Sequence, residues 1–247
     1  MKTIDSKRIG QSLATLVLAV LAPSAFAAST WSANLQATCG TNTHSQSCGG
    51  TTSVVVSGWS TSTGSTFAAA NVHQFGSGLG VVASNESAST TGPHAADNRN
   101  GIDAMLVRFT GGPVSLSGLT IGWNGSDNPS GAYTGSDLSV LAWTGGSSGP
   151  SMGGSGLLSS GWTMVGNYAD VGVGSNTQAI GTSIFSSYWL ISAYSTAYGG
   201  SLSDGNDAFK LLSIAGSTRD TTVPEPGSLA LLGLGLVGVV AARRRRA

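Results

Sequence analysis

The chain has 247 residues, with 11 Lys and Arg against 11 Asp and Glu, and only 9% of its residues are charged, whereas about 25% is usual for a soluble globular protein. This composition excludes a charge-rich helical or coiled-coil protein. It also disfavours nucleic-acid binding, because seven of the eleven cationic residues lie at the two ends of the chain and residues 28–223 contain four cationic and nine acidic residues, which leaves no basic patch there.

Residues 1–27 have the pattern of a secretory signal peptide. Three cationic residues are followed by an apolar run from Ile9 to Leu21, and Ala25 and Ala27 supply the small residues of a signal-peptidase site. We predict that signal peptidase cleaves before Ala28 and that the rest of the chain is exported. An uncleaved amino-terminal anchor is the alternative.

Two cysteines, Cys39 and Cys48, lie in the part predicted to be exported. Exported compartments are oxidising, so we predict a disulfide bond between them. Closing this short loop contributes roughly 2 to 3 kcal/mol of stability in the chain-entropy description.

The sequence from 28 to 220 predicts a single all-β domain. Short apolar or alternating runs are separated by Gly, Ser, Asn and Pro, and no stretch shows sustained helical periodicity. These features favour a β-sandwich of jelly-roll-like type. Gly118 interrupts the alternation of one run, which is typical of a bulge. Nine runs are predicted strands: Thr52–Trp59, Thr66–Phe75, Gly80–Ser84, Ala104–Phe109, Val114–Trp123, Leu138–Trp143, Trp162–Tyr168, Ser183–Ala193 and Ala208–Ile214.

An acidic turn precedes the fourth of these strands and contains Asp97, Asn98, Asn100 and Asp103. Such side chains stabilise turns by hydrogen bonds to the backbone. They are also the oxygen ligands that calcium prefers, so a calcium site is the alternative. Other acidic turns should meet this one at an end of the sandwich: Ser126–Gly131, Ser136–Asp137 and Ser203–Asp207.

The remaining candidate chemistry is weaker. Gly145–Gly149 matches the G-x-S-x-G pattern of serine hydrolases, but it lacks the strand, turn and helix that such a nucleophile requires. We therefore predict no catalytic residues. The tryptophans offer a surface on which sugars could stack, although most are expected to pack in the interior; they are Trp31, Trp59, Trp123, Trp143, Trp162 and Trp189.

The carboxyl-terminal residues 221–247 contain three parts in order. Pro224, Glu225 and Pro226 precede an uncharged segment at about 227–242, which ends at the cluster Arg243, Arg244, Arg245 and Arg246. We predict a transmembrane helix with its arginines in the cytoplasm. A helix of this length rises roughly 24 Å and is short for a hydrocarbon core of about 30 Å.

This three-part end resembles the PEP-CTERM sorting signal of bacterial exosortase substrates. The resemblance implies that Pro224, Glu225 and Pro226 are the recognition motif. It also implies that the helix is a transient inner-membrane anchor, that the arginines stop transfer, and that exosortase cleaves near the motif. A permanent tail anchor is the alternative.

These features together predict a non-enzymatic protein of the cell surface, the extracellular matrix or a biofilm. Exosortase and signal peptidase are its expected processing enzymes, an exopolysaccharide is an expected partner, and nucleic acid and cofactors are not expected. A carbohydrate- or calcium-binding adhesin module is the first alternative, and a secreted hydrolase is the second.

Overall fold

The structure is a computed structural model that describes residues 29–35, 45–48, 54–61, 66–84, 86, 94–99, 101–125, 135–152, 157–174, 177–219 and 228–245. The predicted signal peptide and its cleavage site, formed by Ala25, Ala27 and Ala28, lie outside these residues. Residues Ala27–Thr221 form one compact unit, and the carboxyl-terminal helix belongs to another.

The compact unit is built from β-strands, as the sequence predicts. Each of the nine predicted runs overlaps a strand, and four further short strands are present. The strands are β1 (Thr30–Asn34), β2 (Ser45–Cys48), β3 (Val54–Thr61), β4 (Ala68–Phe75), β5 (Gly78–Val82), β6 (Ala96–Asp97), β7 (Ile102–Phe109), β8 (Val114–Asn124), β9 (Ser136–Trp143), β10 (Trp162–Val171), β11 (Gln178–Ala179), β12 (Tyr188–Ala193) and β13 (Ala208–Thr218).

The strands form a nearly closed antiparallel sheet in the order β10-β9-β12-β7-β3-β4-β5-β13-β8-β11, with β2 beside β3 and with β1 and β6 beside β13. Strand β4 joins the two halves of this path. Its residues from Ala68 to Ala70 pair with β3, and those from Asn71 to Phe75 pair with β5. Opposite Ala70, Gly58 permits the close approach, because a Cβ there would lie 2.9 Å from the Ala70 carbonyl oxygen. The all-β prediction is confirmed, whereas a jelly-roll order of strands is not.

The main hydrophobic core takes side chains from both halves of the sheet, so the halves face each other across it. Trp189 of β12, Phe209 and Leu211 of β13, and Leu138 of β9 are fully buried there. Burial of such side chains removes apolar surface from water and stabilises the fold.

A second hydrophobic cluster covers the other face of β7, β9 and β12. Leu141 and Leu190 contribute to it from the strands, and Met152, Leu157 and Trp162 cover them. These strands are therefore apolar on both faces, which explains their continuous apolar runs. Because Met152 is buried, the glycine-rich segment 145–156 does not lie wholly on the surface, as a flexible loop would.

Strand β8 contains the irregularity predicted at Gly118. Gly118 lies opposite Ala215, but Leu116 lies opposite Gly216, the next residue along β13. Ser117 is therefore an extra residue in the ladder, as in a β-bulge.

The predicted disulfide bond stays a prediction. Cys48 is the last residue of β2, and Cys39 lies outside the described residues. No disulfide bond occurs among the residues that the structure describes.

The carboxyl-terminal helix, α1, extends from Ser228 to Arg244, close to the predicted 227–242. Arg243 and Arg244 lie in its last turn, where cations interact favourably with the helix dipole. Among the described residues, no helix is both long enough and apolar enough to cross a membrane. The transmembrane assignment of this helix is therefore not confirmed.

Candidate functional site

Three of the acidic turns do meet at one end of the sheet, and Asp207 is the centre of their contacts. The Asn98 amide Nδ2 donates to Asp207 Oδ2 at 2.8 Å and to the Tyr194 carbonyl oxygen at 2.9 Å. The Asp207 backbone N–H donates to Asn98 Oδ1 at 2.8 Å. Asp207 Oδ1 accepts from the Asp137 backbone N–H at 2.7 Å. Both the nitrogen and the oxygen of the Asn98 side-chain amide therefore form hydrogen bonds in this network.

Asp137 extends this network to two more segments. Its Oδ1 accepts from the Asp170 backbone N–H at 2.8 Å, and its Oδ2 accepts from the Ser203 hydroxyl at 3.0 Å. Burial raises the pKa of Asp207 to about 6, against the lowering effect of its hydrogen bonds. The network fastens the turn before β7 to the start of β9 and the end of β10. The Ser126–Gly131 turn lies outside the residues that are described.

A second acidic cluster lies beside this network and contains Glu86, Asp97 and Asp103. One carboxylate oxygen from each lies within 4.8 Å of the others. The sequence predicted that Asp97 and Asp103 act together, and it missed Glu86. Glu86 lies in a turn after β5. Only the fold shows that it belongs to this cluster, because the fold brings it close to Asp97 of β6 and Asp103 of β7. Asn100 lies outside the described residues.

The three carboxylates already accept backbone hydrogen bonds. Glu86 Oε2 accepts from the Ala83 N–H at 3.0 Å, and Asp97 Oδ1 accepts from the Arg99 N–H at 3.2 Å. Asp103 Oδ2 accepts from the Asp97 N–H at 3.4 Å. Burial raises the pKa of Asp103 to about 8, and the neighbouring charge of Asp97 raises it further; burial also raises the pKa of Asp97.

This cluster fits calcium incompletely. Calcium takes six to eight oxygens, and three carboxylates supply six, of which three already accept from backbone N–H groups. Each of those three oxygens keeps a second lone pair, so the cluster reaches the minimum of six ligands only if every carboxylate oxygen binds the ion. The calcium site with Asp97, Asn98, Asn100 and Asp103 remains the alternative to a hydrogen-bonded turn, and Asn98 lies in the other network.

The tryptophans divide into two groups. Trp31, Trp162 and Trp189 are buried, whereas Trp59, Trp123 and Trp143 are only partly buried. Trp143 lines a cleft of about 470 Å³ that also contains Ser147 of the G-x-S-x-G segment. The described lining of this cleft includes no histidine and no carboxylate. The cleft therefore offers Ser147 no general base.

The position of the carboxyl-terminal motif is known only from the sequence and from the start of α1. Pro224, Glu225 and Pro226 lie outside the described residues, and α1 begins two residues after Pro226.

Comparison with known proteins gives one result for this region. Residues 222–246 match the family model of the PEP-CTERM protein-sorting motif. No curated protein and no solved structure matches the chain. The carboxyl terminus of the chain thus contains a PEP-CTERM protein-sorting motif, which indicates exosortase-dependent sorting of an exported surface protein.

Proposed function

We propose that this chain is a non-enzymatic surface or extracellular-matrix protein that exosortase releases from a transient inner-membrane anchor. The match of residues 222–246 to the sorting motif carries the proposal. Signal peptidase removes residues 1–27, and exosortase then cleaves near Pro224, Glu225 and Pro226. The mature protein acts at the cell surface or in a biofilm matrix.

The proposed anchor, α1, is shorter than the hydrocarbon core of a typical bilayer. The 17 residues of α1 rise about 26 Å, a few ångströms less than a typical hydrocarbon core of about 30 Å. Its described side chains are exposed, including Leu234, Leu236 and Val240. Arginines at the carboxyl end extend their charges to the interface. Such a helix holds the motif at the outer face of a thinned bilayer, within reach of a membrane-embedded enzyme.

Replacing Glu225 with Ala tests the proposal. We expect the precursor to accumulate in the inner-membrane fraction, because the recognition motif has lost its only charge. Ser228→Ala is the matched control, since it changes the first residue of α1 and leaves the motif intact. Equal release of the Glu225→Ala and Ser228→Ala proteins would contradict the proposal.

An adhesin is the second candidate function, and the partly buried aromatic residues around the cleft favour it. Such a module would bind an exopolysaccharide once the protein is exported. The hydrolase alternative has less support, because the described residues give Ser147 no base in its cleft.

A further inference from the structure

The cleft at one end of the sheet has the parts of a saccharide site. It lies at the carboxyl ends of β7 and β9 and at the amino end of β12. Its volume of about 470 Å³ is within the range of roughly 300 to 1,000 Å³ found for small-molecule sites. Arg108 and Tyr188 face each other across the pairing of β7 with β12, and Trp143 ends β9. We propose that this cleft binds an acidic saccharide through Trp143, Tyr188 and Arg108.

A buried serine holds the strand ends that carry the two rings. The Ser186 hydroxyl oxygen lies 2.7 Å from the Trp143 carbonyl oxygen and 2.8 Å from that of Tyr188, and it accepts from the Tyr188 backbone N–H at 3.0 Å. The backbone of Ser186 also forms two hydrogen bonds with Val114. The cleft is therefore formed before any ligand arrives, which lowers the entropic cost of binding.

The Trp143 ring has one fixed orientation. Its Nε1 donates to the Gly146 carbonyl oxygen at 2.8 Å, and it packs edge-on against Trp162 at a centroid distance of 5.7 Å. Glycines let the backbone approach it, since a Cβ at Gly145 or Gly161 would lie 2.6 or 2.8 Å from the ring. A partly buried ring held in this way presents a flat surface to the C–H groups of a sugar, whose partial positive charge is attracted to the π face.

The charge of the cleft favours an acidic ligand. The Arg108 guanidinium is exposed and lies 6.0 Å from the centre of the Tyr188 ring. Arg219 stacks at 4.6 Å on Phe185, which also lines the cleft. These are two of only four cationic residues between 28 and 223, where nine residues are acidic. No carboxylate lies in the described lining, so a carboxylate of the ligand can pair with Arg108 through two hydrogen bonds.

Hydroxyl side chains complete the lining. Thr144, Ser147 and Ser187 lie around the cleft, where they can exchange hydrogen bonds with sugar hydroxyls. An apolar ligand would make no use of these hydroxyl groups, and a simple anion would not use the aromatic rings. A uronic-acid saccharide can interact with the arginine, the aromatic rings and the hydroxyl groups together. This inference concerns the exported β-sheet unit and does not depend on processing by exosortase.

Binding of defined oligosaccharides to the full chain in detergent tests the proposal. The probes are an oligogalacturonate, a neutral malto-oligosaccharide of the same length, and polyglutamate. We expect the oligogalacturonate to bind at least tenfold more tightly than the other two. Arg108→Gln should weaken that binding at least roughly tenfold, because tenfold is the usual effect of removing a single charge-assisted hydrogen bond and the variant loses the charge of a two-bond pair.

Arg99→Gln is the matched control, because Arg99 is an exposed cation outside the cleft. It should leave the affinity unchanged. Since Arg108 is exposed, its variant should keep the wild-type circular dichroism spectrum. The proposal is overturned if oligogalacturonate does not bind at millimolar concentration, if the neutral sugar or polyglutamate binds equally well, or if both arginine variants weaken binding alike.

Discussion

Asp103 makes the stability of this protein depend on pH in an unusual direction. The side chain is only 3% exposed and lies beside Asp97 and Glu86. Burial and the charge of Asp97 raise its pKa from 3.8 to about 8. At neutral pH the folded protein therefore holds Asp103 as the neutral acid, whereas the unfolded chain holds it as the carboxylate.

The sign and size of the effect follow from proton linkage. Between pH 3.8 and 8 the folded state binds one more proton than the unfolded state at this residue, so the free energy of unfolding falls as the pH rises. One proton corresponds to about 1.4 kcal/mol per pH unit. From pH 5 to pH 7 the loss is roughly 2.5 kcal/mol. Asp103→Asn retains the shape of the neutral acid and cannot ionise, so it removes this loss.

Urea denaturation at pH 5, 6 and 7 measures the effect. We expect the stability difference between Asp103→Asn and wild type to shift in favour of the variant by roughly 2.5 kcal/mol across this range. Asp170→Asn, at an exposed carboxylate whose φ of 51° Asn also adopts, is the matched control and should follow the wild type. A variant with the same pH dependence as wild type would refute the assignment of a neutral, buried Asp103.

Three further predictions follow from particular contacts. Gly80→Ala should destabilise the protein by about 2 kcal/mol or more, because a Cβ there would lie 2.2 Å from the His94 carbonyl oxygen. Gly76→Ala, where no atom lies within 4 Å, should change the melting temperature little. Asn98→Ala should cost about 2 to 4 kcal/mol in urea unfolding, because Asp207 loses both a donor and an acceptor in a buried network; a cost below about 0.5 kcal/mol, the size of an ordinary surface change, would contradict this. Calorimetric titration with calcium should give no saturable heat; saturable uptake that Asp103→Asn abolishes would contradict the hydrogen-bonded description of the cluster.

The main strands could be predicted because their signals are local. Runs such as Val114–Trp123 and Leu138–Trp143 combine apolar side chains with flanking turn residues, and both lie within observed strands. The short strands were harder to predict. In β1, Trp31 and Ala33 alternate with exposed residues, but five residues give a weak signal. Strand β2 has three polar residues before Cys48, and its assignment comes from its pairing with β3.

The acidic end could be predicted only in outline. Asp and Asn before several strands indicated that their turns would meet, and the contacts of Asp207 with Asn98 and Asp137 confirm it. Some hydrogen-bond partners in the network, such as Asn98 and Asp207, lie more than 100 positions apart in the sequence. Sequence spacing carries no information on such pairs. Glu86 was missed for a different reason: it lies in a separate turn after β5, and only the fold brings it to Asp97 and Asp103.

Analysis of the mature protein in cells with and without exosortase tests the central claim most directly. Intact-mass measurement of the secreted protein should show a chain that ends near Pro224, Glu225 and Pro226 and lacks α1. In cells without exosortase the full carboxyl terminus should remain, and the protein should stay in the inner membrane. Release of a protein that still contains Arg243 and Arg244, or equal release from both strains, would contradict the account.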